Sequence, residues 1–278
     1  MPIITLTTDF GLKDPYVGAV KGAIYDDLAD VTIVDISHDV APFHITEAAY
    51  IIKNSYYSFP KRTIHIIGID AEHTPENKHI AMFMDGHYFV CADNGITSLL
   101  MDTFKPDKLV EINIHDHISS NFTVLDAFVK TACHIARGGT LEFIGKPINQ
   151  LKKLTGLQPT VNEKANTING MVIYIDNYGN AVTNITKELM KSVGKGRKFE
   201  LRARSERMTM IYNHYSDFVD FSKDVAKRDV DGKGVAIYNS AGYVELATYK
   251  SNPLTVGSAS SLFGLKLHSP VHIKFDVK

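Results

Sequence analysis

The chain of 278 residues carries 30 Lys and Arg against 31 Asp and Glu, so its charge is almost balanced. That balance supplies no electrostatic footprint for nucleic acid or an anionic membrane, and it favours a small-molecule partner. The length exceeds what a single hydrophobic core usually serves and predicts two domains.

The opening residues, MPIITLTTDF, lack the basic start, long apolar core and small-residue cleavage site of a signal peptide, and no apolar run approaches a membrane span. The expectation is a soluble, cytoplasmic protein. Apolar or β-branched runs then alternate with amphipathic segments: IITLT, YVGAVKGAIYDDL, VTIVDI, ITEAAYIIKNSYYSF, TIHIIGI. Strands covered by helices on both faces need no polar alternation, so this pattern predicts an α/β domain around a mostly parallel sheet. HIAMFM and HYFVCA are separated by Asp85 and Gly86, a hairpin signal that predicts an antiparallel pair in that sheet. LVEINI follows, and LDAFVKTACHIARGG reads as a helix stopped by Gly138 and Gly139.

From Gly145 to Asn166 the sequence turns polar and rich in breakers, which predicts a linker. Beyond it come MVIYID, KFELRA, GVAIYNS, YVELATY and PVHIKF, short strands with Asn239 to Gly242 as a turn, as in a small all-β barrel or sandwich. The predicted domains are residues 1–155 and 165–278. The two cysteines, Cys91 and Cys133, lie in apolar segments without metal spacing and read as buried free thiols.

In open α/β sheets ligands sit beyond the carboxyl ends of the strands. Three polar clusters fall there: Asp9 after strand one, Asp35, His38 and Asp39 after strand two, and Asp70 with Glu72 and His73 after strand three. Taken singly, Asp9 reads equally as a turn or cap residue, His38 as a satisfied loop histidine, and AEHTPENK as a solvated loop. Taken together they predict a pocket, and two chemistries fit it. One activates water on a divalent metal through Asp and His, although no HxH, DxH or HExxH spacing is present. The other uses a buried carboxylate to orient water towards an already activated substrate.

The motifs TLTTDFGLKDPYVGAVKG, VDISHDVAPF, MVIYIDNYGNAVTNI and NSAGYVELA, with the closing GSASSLFGLKLHSPVHI, are collinear along nearly the whole chain. Together they are similar to the family of S-adenosylmethionine (SAM) hydrolases that also contains the fluorinases and chlorinases. The resemblance implies an N-terminal α/β domain, a smaller C-terminal β-barrel, and a homotrimer with active sites shared between neighbouring subunits. It implies displacement at the 5′ carbon of the ribose by water or hydroxide, giving adenosine and methionine, with SAM as substrate and neither cofactor nor metal. Asp9 would accept from both ribose hydroxyls, and Phe43 would wall the ribose. Asp176 would pair with the methionine ammonium, Tyr178 would stack on adenine and Asn180 would read its edge. Tyr215 would cover the other adenine face, and Ser240 would hold the methionine carboxylate.

The sequence departs from the water-using members at two positions. Asp70 is kept, but Asn77 stands where they carry Arg and Thr123 where they carry His, with Phe122 and Asp126 retained. His73 and Lys78, close to Asp70 in the chain, are the local replacements, so the expected catalytic set is Asp70, His73 and Lys78. Halogenating members have a neutral residue in place of the strand-three carboxylate, because a negative side chain repels a bound halide; Asp70 therefore argues against halide use. Two further readings stay open, a SAM or adenosine binder that has lost turnover and a metal-dependent hydrolase on the same strand edge.

Overall fold

The computed structural model describes residues 1–101, 105–115, 122–154 and 158–277. The chain divides into two compact units, Met1–Leu154 and Thr155–Lys278. In the first unit the elements run β1 (Ile3–Thr8), α1 (Tyr16–Asp27), β2 (Thr32–Ser37), α2 (Ile45–Lys53), β3 (Ile64–Gly68), β4 (His79–Met84), β5 (His87–Ala92), α3 (Ile96–Leu100), β6 (Lys108–Ile112), α4 (Val129–Ala136), α5 (Leu141–Ile144) and β7 (Gly145–Pro147). The strands form one sheet in the order β2-β1-β3-β5-β4-β6-β7.

The alternation seen in the sequence is realised over β1, β2, β3 and β5, which pair in parallel. Beyond β5 the sheet reverses: β4 runs antiparallel to both β5 and β6, and β7 antiparallel to β6. The sheet is therefore mixed rather than mostly parallel. The Asp85-Gly86 turn starts the reversal, since both residues take positive φ, 49° and 76°, the conformation a two-residue hairpin needs. β7 also falls in the segment expected to be linker. Gly145 allows this, because a side-chain carbon there would lie 2.6 Å from the Glu111 carbonyl of β6.

Successive side chains on a strand face opposite ways, so β3 feeds two cores. Ile64 and Ile66 pack with Ile4, Leu6, Val20, Ile24, Phe128 and Ala132, while Ile67 packs with Ala48, Ile52, Met82, Phe89 and Ile96. Cys91 and Cys133 are buried free thiols within these cores, and burial pushes both above the ordinary thiol range. No helix of the described residues is long and apolar enough to cross a membrane.

The second unit comprises β8 (Thr160–Asn162), β9 (Thr167–Ile175), β10 (Ala181–Thr186), α6 (Lys187–Gly194), β11 (Phe199–Ala203), β12 (Glu206–Met208), β13 (Gly234–Tyr238), β14 (Tyr243–Thr248), α7 (Ala259–Leu262) and β15 (Pro270–Phe275). Its sheet runs β12-β11-β15-β9-β10-β14-β13, with β8 against β9 and every ladder antiparallel. The segment after β12 then meets the far edge: Tyr212 donates its N–H to Ala236 and accepts from the N–H of Tyr238, both in β13. The sheet is thereby a nearly closed barrel, around Ile168, Val172, Leu201, Val244, Leu246 and Ile273. β8 again occupies predicted linker, and the 155–157 part of that linker lies outside the described residues.

One buried group of the first sheet makes stability depend on pH. His65 in β3 is 1% exposed, 2.7 Å from the Thr5 hydroxyl and 3.2 Å from His87. Burial, reinforced by His87, lowers its pKa from 6.5 to about 3. Between those values the unfolded chain binds a proton that the folded one refuses, so this contribution to stability is lost as pH falls from 6.5 towards 3. His65→Gln is expected to reduce the slope of unfolding free energy against pH in that window by about one proton, measured by urea unfolding at several pH values.

Candidate active site

β1 and β3 are neighbours in register, Thr8 opposite Gly68, so the residues that follow them emerge side by side. These are Asp9 and Asp70, each partly buried. Burial holds the Asp9 carboxyl above the ordinary carboxylate range; the Phe43 N–H, donated to Asp9 Oδ2 at 2.8 Å, opposes this, and the charge of Asp70 adds to it. The Asp9 loop is anchored to the loop after β2: Thr8 Oγ1 lies 2.7 Å from His38 Nδ1, and Gly11, at a φ of 65°, donates its N–H to the His38 carbonyl. His38 is 5% exposed; its Nδ1 is matched by Thr8, while its Nε2, 3.0 Å from Asp35 Oδ1, has no hydrogen-bond partner among the described residues, so the ring is only half satisfied. Asp35 lies within β2 rather than after it and pairs with Lys21.

Asp70 and Phe43 both have positive φ, 44° and 62°. For a bulky residue such as Phe this is a strained conformation, which persists only where surroundings impose it. At Asp70 the surroundings are explicit. Asn77 Nδ2 donates to the carbonyls of Asp70 (2.8 Å) and Glu72 (2.9 Å), and Thr123 Oγ1 (2.8 Å) and His79 Nε2 (2.9 Å) donate to the carbonyl of Ala71. Asn94 Nδ2 holds the preceding carbonyl, that of Ile69, at 2.9 Å. With that of Ile69, four consecutive carbonyls, 69–72, are therefore tied down. Among the described residues no hydrogen bond reaches the Asp70 carboxylate itself.

The two positions that depart from the water-using pattern, Asn77 and Thr123, are thus the tethers of the Asp70 loop. Their local replacements lie elsewhere. Lys78 pairs with Glu111 at 2.7 Å, and His73 is exposed, its ring stacked 3.9 Å from that of His115. Since a carbonyl only accepts, His79 carries its proton on Nε2, and its Nδ1 accepts from His115 Nε2 at 2.9 Å. Burial lowers the His79 pKa from 6.5 to about 4, so this ring is neutral at physiological pH. Phe10, Tyr16 and Phe122 form an aromatic group with centroids 5.3 to 5.9 Å apart, and Phe10 packs over Gly68. The sequence reading did not single out His115, and of the aromatic group it noted only Phe122. Among the described residues, no three or more His, Cys, Asp and Glu are arranged to hold a metal ion.

In the barrel unit, Asp176, Tyr178, Asn180, Tyr215 and Ser240 line one hollow of about 960 Å³. Asp176 Oδ1 accepts from the N–H groups of Tyr178 (2.9 Å) and Asn180 (2.8 Å), and Oδ2 from Asn180 Nδ2 (3.0 Å), so the carboxylate organises its own turn. Gly179 is required in that turn: its φ is 71°, and a side-chain carbon would fall 2.2 Å from Ser258 Oγ. Tyr178 is 67% exposed, leaving its ring face open to a flat ligand. The hollow also holds residues the sequence reading missed, Lys187, Asn239 and Glu245. Glu245 is 6% exposed, and burial raises its pKa, with Asp176 adding to the rise. A carboxylate set among apolar strand residues in YVELATY was the available signal.

Residues 4–145 match the family profile described as SAM hydroxide adenosyltransferase N-terminal domain, and residues 170–272 match that described as its C-terminal domain. The chain is 31% identical over 194 residues, 68% of each chain, to an (R)-S-adenosyl-L-methionine hydrolase of Methanocaldococcus jannaschii. It is 24% identical to the (R)-S-adenosyl-L-methionine hydrolase of Thermus thermophilus, over 96% of this chain and 97% of that one. A fluorinase of Actinopolyspora mzabensis is 22% identical, over 88% of this chain and 90% of that one. The crystal structure of an uncharacterized conserved protein from Thermotoga maritima superposes with a TM-score of 0.82 at 25% identity, covering 98% of this chain and 99% of that one. With both domain profiles matched in order over most of its length, the chain belongs to the SAM hydroxide adenosyltransferase family.

Proposed function

We propose that the protein is an S-adenosyl-L-methionine hydrolase that forms adenosine and L-methionine by attack of water on the ribose 5′ carbon. The observation that carries this reading is the Asp70 carboxylate, at a strained tip whose carbonyls are pinned, beside Asp9 at the adjacent strand end. The oxygen–carbon bond forms as the carbon–sulfur bond breaks, and its electron pair leaves with neutral methionine thioether. No acid is needed at the leaving group. The attacking water loses a proton, and a carboxylate that orients it stabilises the positive charge developing on that oxygen. Asp70 takes this role, and the same charge disfavours halide.

Asp9 supplies the ribose contact. Its Oδ2 already accepts from Phe43, but each carboxylate oxygen has further acceptor capacity for a cis-diol. Phe43 walls the sugar. In the barrel hollow Asp176 takes the ammonium, Ser240 the carboxylate, Asn180 the adenine edge, and Tyr178 and Tyr215 the adenine faces. His73 is the candidate to relay the proton. Lys78 supplies a cation only after leaving Glu111, so it is the weakest member of the set. The proposal includes a homotrimer without cofactor, working in the cytoplasm and completing each site from two subunits; sedimentation equilibrium tests the assembly.

The decisive experiment incubates the protein with each sulfonium epimer of SAM in ¹⁸O-water, because the curated hydrolase relatives are named for the (R) form. Adenosine labelled at its 5′ oxygen is expected; intact SAM with both epimers sinks the reading. Turnover that stops on adding chelator would identify the metal-dependent alternative. Asp70→Asn is expected to lower kcat by about 10² to 10⁴, and His73→Ala by a comparable factor if it relays the proton, while SAM binding is kept. Asn77→Ala removes the donor of the Glu72 carbonyl and leaves the Asp70 carbonyl only the longer bond from Asn94, 3.4 Å, and is expected to cost roughly 1–3 kcal/mol in urea unfolding and to lower turnover through a loosened Asp70.

A further inference from the structure

The barrel hollow contains a polar side chain that no role in the proposed reaction uses. Glu245, near the middle of β14, is 6% exposed and accepts two hydrogen bonds from residues that line the hollow. Tyr215 Oη donates to its Oε1 at 3.0 Å, and Asn239 Nδ2 donates to its Oε2 at 3.1 Å. Asn239 in turn caps the Ser240 turn: its Oδ1 accepts from the N–H groups of Ala241 (3.1 Å) and Tyr243 (3.0 Å). On the other side, Asn180 Nδ2 donates to Tyr215 Oη at 3.4 Å and to Asp176 Oδ2 at 3.0 Å. A continuous chain of hydrogen bonds therefore runs from Asp176 to the Ser240 turn, and Glu245 is its central acceptor.

We infer that Glu245 is a positioning residue for substrate recognition, holding Tyr215 and the Ser240 turn in register by accepting from both. This rests on the reading that SAM occupies the hollow, and it adds to that reading a residue with no contact of its own to the reacting atoms.

The direction of each bond follows from donor and acceptor inventory. Backbone N–H groups only donate, so the Asn239 atom facing Ala241 and Tyr243 is its oxygen. The Asn239 amino group must then face Glu245, which has to accept. Tyr215 also donates there, and a carboxylate is the one common side chain of this length that accepts at both oxygens. An amide of the same shape does not. In the Glu245→Gln variant, one orientation of the amide sets its amino group against that of Asn239. The other presents that group to Tyr215, whose own O–H then loses its acceptor. Either way one wall of the hollow is released although no volume changes.

The same inventory names the rescue. When Asn239→Asp is added to Glu245→Gln, the carboxylate introduced on the turn accepts from the new amide as well as from the N–H groups of Ala241 and Tyr243, while the amide oxygen accepts from Tyr215. Each hydrogen bond from Tyr215 to the Ser240 turn then again has a donor facing an acceptor. Asn239→Asp beside the native Glu245 instead sets two carboxylates face to face.

The experiment measures kcat and KM for the cleaved epimer of SAM in the wild type, E245Q, N239D and the E245Q/N239D pair, with thermal midpoints for all four. E245Q and N239D are each expected to raise KM by about tenfold or more while kcat stays within about threefold. The double variant is expected to return KM to within about threefold of wild type. An E245Q enzyme with KM within about twofold of wild type overturns the inference, as does a double variant no better than E245Q. A fall in thermal midpoint with unchanged KM marks a purely structural role and overturns it too. Should E245Q fail to fold, a folded double variant with near-wild-type KM supports the inference and an unfolded one defeats it. A wild-type protein that cleaves neither epimer defeats the proposed function and this inference together, an outcome separable from the others because it needs no variant.

Discussion

A peptide carbonyl turned in from solvent has to be given a donor, and in this protein that constraint shapes the tip of the third strand. The carbonyls of Asp70, Ala71 and Glu72 turn towards the protein, where Asn77, Thr123 and His79 donate to them. The donors come from more than one stretch of chain, so the loop is held from several sides. Such bracing explains how Asp70 keeps a positive φ that would otherwise relax. Its carboxylate has no donor of its own among the described residues.

The barrel unit solves a different problem with the same chemistry. Carboxylates in a hollow favour a cationic ligand, yet a half-buried and a buried carboxylate close together repel each other unless donors surround them. Asp176 is quenched by its own turn and by Asn180, and Glu245 by Tyr215 and Asn239. The repulsion survives as a contribution to the raised pKa of Glu245. A sulfonium substrate seated there, as proposed, would bring positive charge that the reaction discharges. Products are neutral at the former sulfonium, so the attraction that favours binding weakens as the bond breaks.

Much of this was legible because it is local. Continuous apolar runs marked β1 and β3 as covered on both faces, whereas β2, read the same way, is a part-exposed edge strand; the residues following β1 and β3 had to emerge at one edge. Asp85-Gly86 and Asn239 to Gly242 announced their turns by composition. The mixed character of the sheet was less legible, since a parallel and an antiparallel buried strand have the same apolar text; the reversal between β4 and β5, and again between β6 and β7, is one of direction alone. Asn77 and Thr123 show a sharper limit. Against the family pattern they are losses of charge and imidazole, whereas in the fold they are donors to carbonyls that no sequence position advertises.

The sequence by itself determined the two kinds of unit, the strand ends that carry Asp9 and Asp70, the IDNYGN turn and the family, because these rest on periodicity, turn chemistry and collinear motifs. Tertiary structure alone decided that Lys78 is committed to Glu111, that His73, His79 and His115 cluster, and that Glu245 joins Tyr215 to Asn239. The physical reason is separation along the chain. Lys78 and Glu111 are 33 residues apart, and Tyr215 and Glu245 are 30 apart. Hydrogen bonds and ion pairs act over a few ångströms, so partners that distant exist only after β-strand pairing has set their registers.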